Sequence, residues 1–194
     1  MNPFAELSPP YSTIVADPPW EQGDFNGWGT RRNLPYSTMT LDEIKALPVA
    51  DLVEREGYLF LWVTNKFLER GYEVVRSWSF TPKQILTWCK APMGLGLGGM
   101  FVTTTEFVIV GQAIREGTNA HGSRTKRERV PSSWFDWKRP YDSRGKPQHS
   151  AKPPAFLDLV ESVAPGPYVE LFARAQRLGW DSWGYGYETG RAAT

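Results

Sequence analysis

The chain has a single cysteine, Cys89, among 194 residues. A lone thiol forms no internal disulfide and builds no thiolate metal centre. Histidine is nearly as scarce, with only His121 and His149, and there is no HExxH. No metal ligand set is therefore assigned. No apolar run approaches the about 20 residues of a membrane span, so no membrane partner is expected. The opening "MNPFAELSPP" has neither a basic start nor an apolar stretch and does not read as a signal peptide. A reducing cytoplasm fits this pattern.

The length suits one domain spanning residues 1–194, large enough for a real core. Nine tryptophans are many for that length. Net charge is only +1, but the charge is uneven. Residues 112–150 carry nine Lys/Arg against four acids, which leaves the rest of the chain negative. Such asymmetry points to an anionic partner. A loop of that length inside a compact domain is usually functional or disordered.

The pattern alternates strands and helices. "YSTIVAD" is a short β-rich run. "TLDEIKALPVADLVE" opens with Thr40 and Glu43 spaced as a capping box and should be helical, broken at Pro48. "GYLFLWVT" is apolar throughout, as a strand covered on both faces would be. "NKFLERGYEVVRSWS" has helical spacing, "KQILTWCK" and "TTTEFVIVGQ" read as strands, and "KPPAFLDLVESVA" as a helix. "YVELFA" is a fifth strand, and the tail "GWDSWGYGYE" reads as irregular. This order argues an α/β fold, a mostly parallel sheet with helices on both faces.

Four stretches are candidate sites. "GLGLGG" (94–99) matches GxGxxG, but the residues after it read as strand. The fingerprint needs a helix N-terminus for a pyrophosphate, so it is rejected in favour of a hinge. The basic segment interleaves Trp134, Phe135, Trp137 and Tyr141 with its cations. Phosphates want cations and unstacked bases want aromatic faces, although a solvated loop with core aromatics reads the same way. "YVELFAR" ends a buried strand with Glu170 and then Arg174, where an acid can accept from ribose hydroxyls. A plain surface ion pair is the competing reading.

The sharpest stretch is Asp17-Pro18-Pro19-Trp20. Asp17 ends a strand, where an α/β sheet opens to ligands. Prolines have no N–H and leave carbonyls free to accept, and the indole offers a flat face. Together they suit a planar ring bearing an amino group. A rigid turn with a core tryptophan is the alternative.

With "LPYSTM", "TLDEI", "GYLFLWVTN", "HSAKP", "YVELFAR" and "GWDSWG" following in order, the chain resembles the MT-A-seventy family. These are the eukaryotic mRNA adenine-N6 methyltransferases and their bacterial and phage relatives. The likeness runs from about Ile14 to Trp183, in the order of the permuted β-class of amino-methyltransferases. It implies a Rossmann-like, S-adenosylmethionine-dependent methyltransferase fold. It also implies catalytic roles for Asp17, Pro18, Pro19 and Trp20. Asp17, Lys152, Glu170 and Arg174 would contact the cofactor. The tail carries Tyr185 where relatives often carry Asn, and Gln176 or Arg177 could contribute there instead. Trp20 and Tyr36 would meet the target base. With the resemblance in hand, Arg124, Lys126, Arg127, Lys138 and Arg139 become candidates for the nucleic-acid strand.

The implied reaction moves a methyl group from S-adenosylmethionine to the exocyclic amine of adenine. The partner would be DNA, preferred over RNA, in a bacterial or phage-infected cell. RNA methylation, and an inactive member that only binds nucleic acid, stand as alternatives. Cytosine-N4 chemistry more often carries Ser first and Tyr last. Family members occur alone and paired, so a homodimer or a heterodimer with a paralogue stays open.

Overall fold

A computed structural model describes residues 2–21, 37–90, 100–113, 130, 132–145, 148 and 151–184. Strand β1 (Tyr11–Ala16) is followed by α1 (Leu41–Lys45), β2 (Val53–Thr64), α2 (Leu68–Ser77), β3 (Phe80–Cys89) and β4 (Thr105–Ala113). Then come the two-residue β5 (Trp134–Phe135), α3 (Ala155–Val163), β6 (Tyr168–Leu171) and β7 (Trp180–Trp183). The strands form one seven-stranded sheet in the order β5-β3-β4-β2-β1-β6-β7. Four of the six pairings are parallel; only β4 runs against its neighbours β2 and β3. The expected mostly parallel α/β sheet is what the chain builds.

The pleat sorts side chains to two faces. Ile14, Leu59, Leu61, Val63, Val169 and Leu171 join Ile44 of α1 and Val74 and Val75 of α2 in one core cluster. Val15, Phe60 and Trp62 join Phe156 and Val160 of α3 in the other. Helices thus cover both faces, which is why "GYLFLWVT" has no polar alternation. Gly71 lets α2 lie close to the sheet: a Cβ there would stand 2.5 Å from Val63 Cγ1 and 2.9 Å from Ile109 Cδ1.

Three local expectations change. The first helix stops at Lys45, although its capping box forms, with Thr40 and Glu43 bonded reciprocally. Pro48 cannot continue the helical ladder, and Val49–Asp51 makes a single 310 turn before β2 starts at Val53. The tail is not irregular at first, since Trp180–Trp183 pairs in parallel with β6. Inside the 112–150 segment, β5 pairs with Thr87 and Trp88 of β3. The "GLGLGG" stretch lies outside the described residues. Among the described residues, no helix is long and apolar enough to cross a membrane.

Candidate active site

Asp17 leaves β1 at the edge where the parallel strands end. Its amide meets the Leu171 carbonyl at the end of β6 at 3.4 Å. The next residues turn sharply. The Trp20 amide donates to the Pro18 carbonyl at 2.9 Å, and the Met39 amide to the Pro19 carbonyl at 2.8 Å. Both proline carbonyls already accept a backbone N–H, which corrects the expectation that they are free. A carbonyl has two lone pairs, so a second donor still fits. The Met39 bond also pins the motif to the end of "LPYSTM".

Trp20 is placed differently from the open platform expected of it. It is 7% exposed. Its ring stacks on Phe67, centroids 5.4 Å apart at 14°, and its Nε1 donates to the Trp62 carbonyl at 3.3 Å. Burial of an indole is favourable once its N–H finds an acceptor, and the end of β2 supplies one. The indole is a wall of the site, with one face occupied.

Lys152, which precedes Pro153 and Pro154 ahead of α3, reaches Asp17: Nζ lies 2.7 Å from Oδ2. The sequence separates these two by 135 residues. Glu106, at the start of β4, stands 3.5 Å from the same ammonium and 2.7 Å from Lys90 Nζ. Because β4 is antiparallel, its first turn of residues lies at the edge where β1, β2 and β3 end; Glu106 is in register with Thr64, the last residue of β2. The Lys152 ammonium also sits over the Trp62 ring, 5.3 Å from its centroid, and Lys90 over Trp88 at 5.7 Å. The site is thus a row of alternating charges, Asp17, Lys152, Glu106 and Lys90, laid on two indoles.

Lys152 and Glu106 are held charged by their neighbours. Burial alone would lower the Lys152 pKa, but Asp17 and Glu106 outweigh it and raise it. Burial alone would raise Glu106, and Lys152 and Lys90 outweigh it and lower it. Glu170 in β6 is the exception. Burial first, then the Asp17 carboxylate, pushes it up to about 7. A carboxyl whose pKa is moved that far by burial and a like charge marks a candidate functional position.

Of the other candidates, Arg174 and Gln176 are exposed just beyond β6, and Arg174 acts electrostatically on both Glu170 and Lys152. Arg177 is drawn elsewhere. Its guanidinium lies 2.6 Å from Asp158 and 2.8 Å from Glu161, both on α3. Its Nε and Nη2 donate to these two carboxylates, which hold the guanidinium against α3. Lys138 is exposed and Arg139 half-buried. Tyr36, Arg124, Lys126 and Arg127 lie outside the described residues, as does Tyr185. The interleaved aromatics divide. Phe135 and Trp137, both half-buried, stack at 4.3 Å, and the Trp137 carbonyl accepts from Trp88 Nε1, so Trp137 packs against the core. Trp134 is 60% and Tyr141 54% exposed. Sequence reasoning missed Glu106 and Lys90. The available signal was that both flank strands at one edge, and it becomes visible only once β4 is known to be antiparallel.

Comparison with known proteins identifies the family of the chain. The MT-A70 family model matches residues 11–186. The chain therefore belongs to the MT-A70 family of methyltransferases. It is 29% identical to the type II methyltransferase M.MunI of a Mycoplasma species, over 95% of this chain and 83% of that protein. It is 32% identical to the human N(6)-adenosine-methyltransferase catalytic subunit METTL3, over 41% of this chain and 12% of that protein. A putative N(6)-adenosine-methyltransferase MT-A70-like protein of Medicago truncatula is 28% identical over 90% of this chain and 26% of its own length.

Proposed function

We propose that the chain transfers a methyl group from S-adenosylmethionine to the N6 amine of adenine in DNA. The observation that carries this reading is the Asp17 carboxylate at the open end of β1, paired with Lys152 and neighboured by Glu170.

The donor set suits the cofactor. S-adenosylmethionine presents an ammonium, a carboxylate, a ribose and, when bound, a methyl group on cationic sulfur. Asp17 and Glu170 supply acceptors for the ammonium and ribose hydroxyls. Lys152 and Arg174 supply cations for the carboxylate. The protein's own task is to prepare the amine. The adenine N6 lone pair is delocalised into the ring, so the amine is a poor nucleophile. Without substrate, Lys152 is paired with the Asp17 carboxylate. The lone pairs of that carboxylate, and the second lone pair of the Pro18 carbonyl, can accept the two N6–H groups. Those bonds favour a pyramidal nitrogen with its lone pair aimed outward. Trp20, backed by Phe67, supplies an apolar side for the ring. Catalysis is then positioning and charge stabilisation. The bound cofactor would supply the methyl group by cleavage of its S–CH3 bond, leaving as a neutral thioether, and the Asp17 carboxylate would be the base in contact for the proton that N6 loses.

M.MunI covers nearly the whole chain, and this supports the DNA reading. The likeness to METTL3 supports adenine as the target and keeps RNA as the second reading. Transfer of a labelled methyl group to DNA and RNA oligonucleotides decides between them; label in RNA alone would remove DNA. A member that only binds nucleic acid would show no cofactor binding by calorimetry.

A further inference from the structure

We propose that the Lys90–Glu106 pair is a positioning device for Lys152. In this scheme Glu106 shares the Lys152 ammonium with Asp17 and takes it over when the target amine claims the Asp17 carboxylate. This rests on the methyl-transfer reading of the site.

The geometry is that of a lysine between two acceptors. Nζ of Lys152 is in contact with Asp17 Oδ2 at 2.7 Å, and Glu106 Oε2 waits at 3.5 Å. Glu106 is anchored from its other oxygen, with Oε1 accepting from Lys90 at 2.7 Å. Lys90 in turn is fixed by its backbone, whose N–H donates to the Thr104 carbonyl at 2.7 Å. The three side chains are only 13–18% exposed. A charge at that depth is costly when it loses its partner. An ammonium that left Asp17 for nothing would oppose substrate binding. With Glu106 beside it, the ammonium exchanges one carboxylate for another. The Trp62 face beneath Nζ gives the cation a surface to move across.

Among the described residues, the charged groups acting on Lys152 include Asp17 after β1, Glu106 on β4, and Arg174 after β6. Glu170 on β6 lies behind Asp17, and Lys90 on β3 acts through Glu106. The proposal therefore makes opposite predictions for the two members of the pair. Glu106→Gln keeps the shape and an acceptor for Lys90 but removes a carboxylate from Lys152. Lys90→Gln leaves Lys152 as the cation beside Glu106 among the described residues and draws the ammonium away from Asp17.

The experiment follows Lys152 ionisation by NMR of side-chain-labelled lysine, alongside the pH–rate profile of methyl transfer. Glu106→Gln should move the Lys152 titration and the alkaline limb to lower pH. Lys90→Gln should move both to higher pH. In each variant kcat should fall roughly tenfold or more, with KM for the oligonucleotide little changed. Glu106→Asp should recover part of kcat. Structural damage alone would not produce shifts of opposite sign. Unmoved titrations, or shifts in the same direction, would overturn the proposal. If Glu106→Gln fails to fold, the Lys90→Gln shift decides alone. If the wild-type chain methylates no polymer, the methyl-transfer reading fails, while the NMR titration still reads the pairing.

Discussion

Asp17 is acceptor, ion-pair partner and neighbour of a second carboxyl at once, and its substitution has a specific expected outcome. Asp17→Asn keeps the shape but removes the charge that polarises the amine. We expect kcat to fall on the order of 10²–10³-fold, the cost of losing one well-aimed electrostatic group. Melting temperature should change little, because Lys152 retains Glu106. A variant that kept more than a tenth of wild-type kcat would contradict the role. Glu170 carries a pH dependence with a definite sign. Its folded pKa, about 7, is raised from 4.5. The stability tied to its neutral form is complete below about 4.5 and is lost as pH rises to about 7. Glu170→Gln should therefore melt progressively higher than wild type as pH goes from 5 to about 7.5. If ionised Glu170 accepts ribose hydroxyls, calorimetric affinity for the cofactor should rise over the same interval in wild type and stay flat in the variant. Asp17 was legible from four residues because its chemistry is local. Lys152 needed the family resemblance, since nothing local ties it to a residue 135 positions away. Glu106 and Lys90 were invisible because their meaning depends on the direction of β4.

Strands and helices were more readable than their ends. "GYLFLWVT" gave β2 because burial on both faces demands an unbroken apolar run. β2 nevertheless begins at Val53, in a polar stretch that hydrophobicity does not mark, because Tyr11 pairs with Val53 there. β7 was missed for a related reason. Its four residues follow Gly179, and only pairing with β6 makes them a strand. Two glycines show how tightly these elements are seated. Gly71 lies inside α2, where Gly→Ala ordinarily stabilises a helix by about 0.5–1 kcal/mol. Here the new methyl would press on Val63 and Ile109, so Gly71→Ala should lower the melting temperature. Gly184 follows β7, and a Cβ there would come within 2.6 Å of the Ala173 backbone nitrogen. That contact is backbone and cannot rotate away. Gly184→Ala should cost about 1–3 kcal/mol in denaturant unfolding, the range for overpacking, and weaken cofactor affinity through the neighbouring Phe172–Arg174 turn. Equal unfolding midpoints would show that this end is loose.

For the molecule as a whole, the uneven charge makes a measurable claim. If the basic excess of residues 112–150 meets phosphates, log affinity for an oligonucleotide should fall linearly with log salt. Lys138→Ala should reduce that slope by roughly one counterion without changing base preference. A flat response would detach the segment from nucleic acid. The uneven charge was plain in the sequence, but its geometry was not. The sequence could not say that Trp137 packs against the core while Trp134 stays exposed, because neighbouring aromatics in one stretch look alike until a core claims some of them.

The strand order has a consequence for how the chain is made. β1 is flanked by β2 on one side and by β6, about 150 residues later, on the other. During synthesis its second edge stays bare until β6 has left the ribosome. An exposed strand edge is a template for wrong pairing, and long-range closure of this kind slows folding. A chain cut before Tyr168 would carry Asp17 and Lys152 yet have no wall behind them. It should accumulate as aggregate when expressed, and adding back a peptide spanning β6 and β7 during refolding should restore soluble protein.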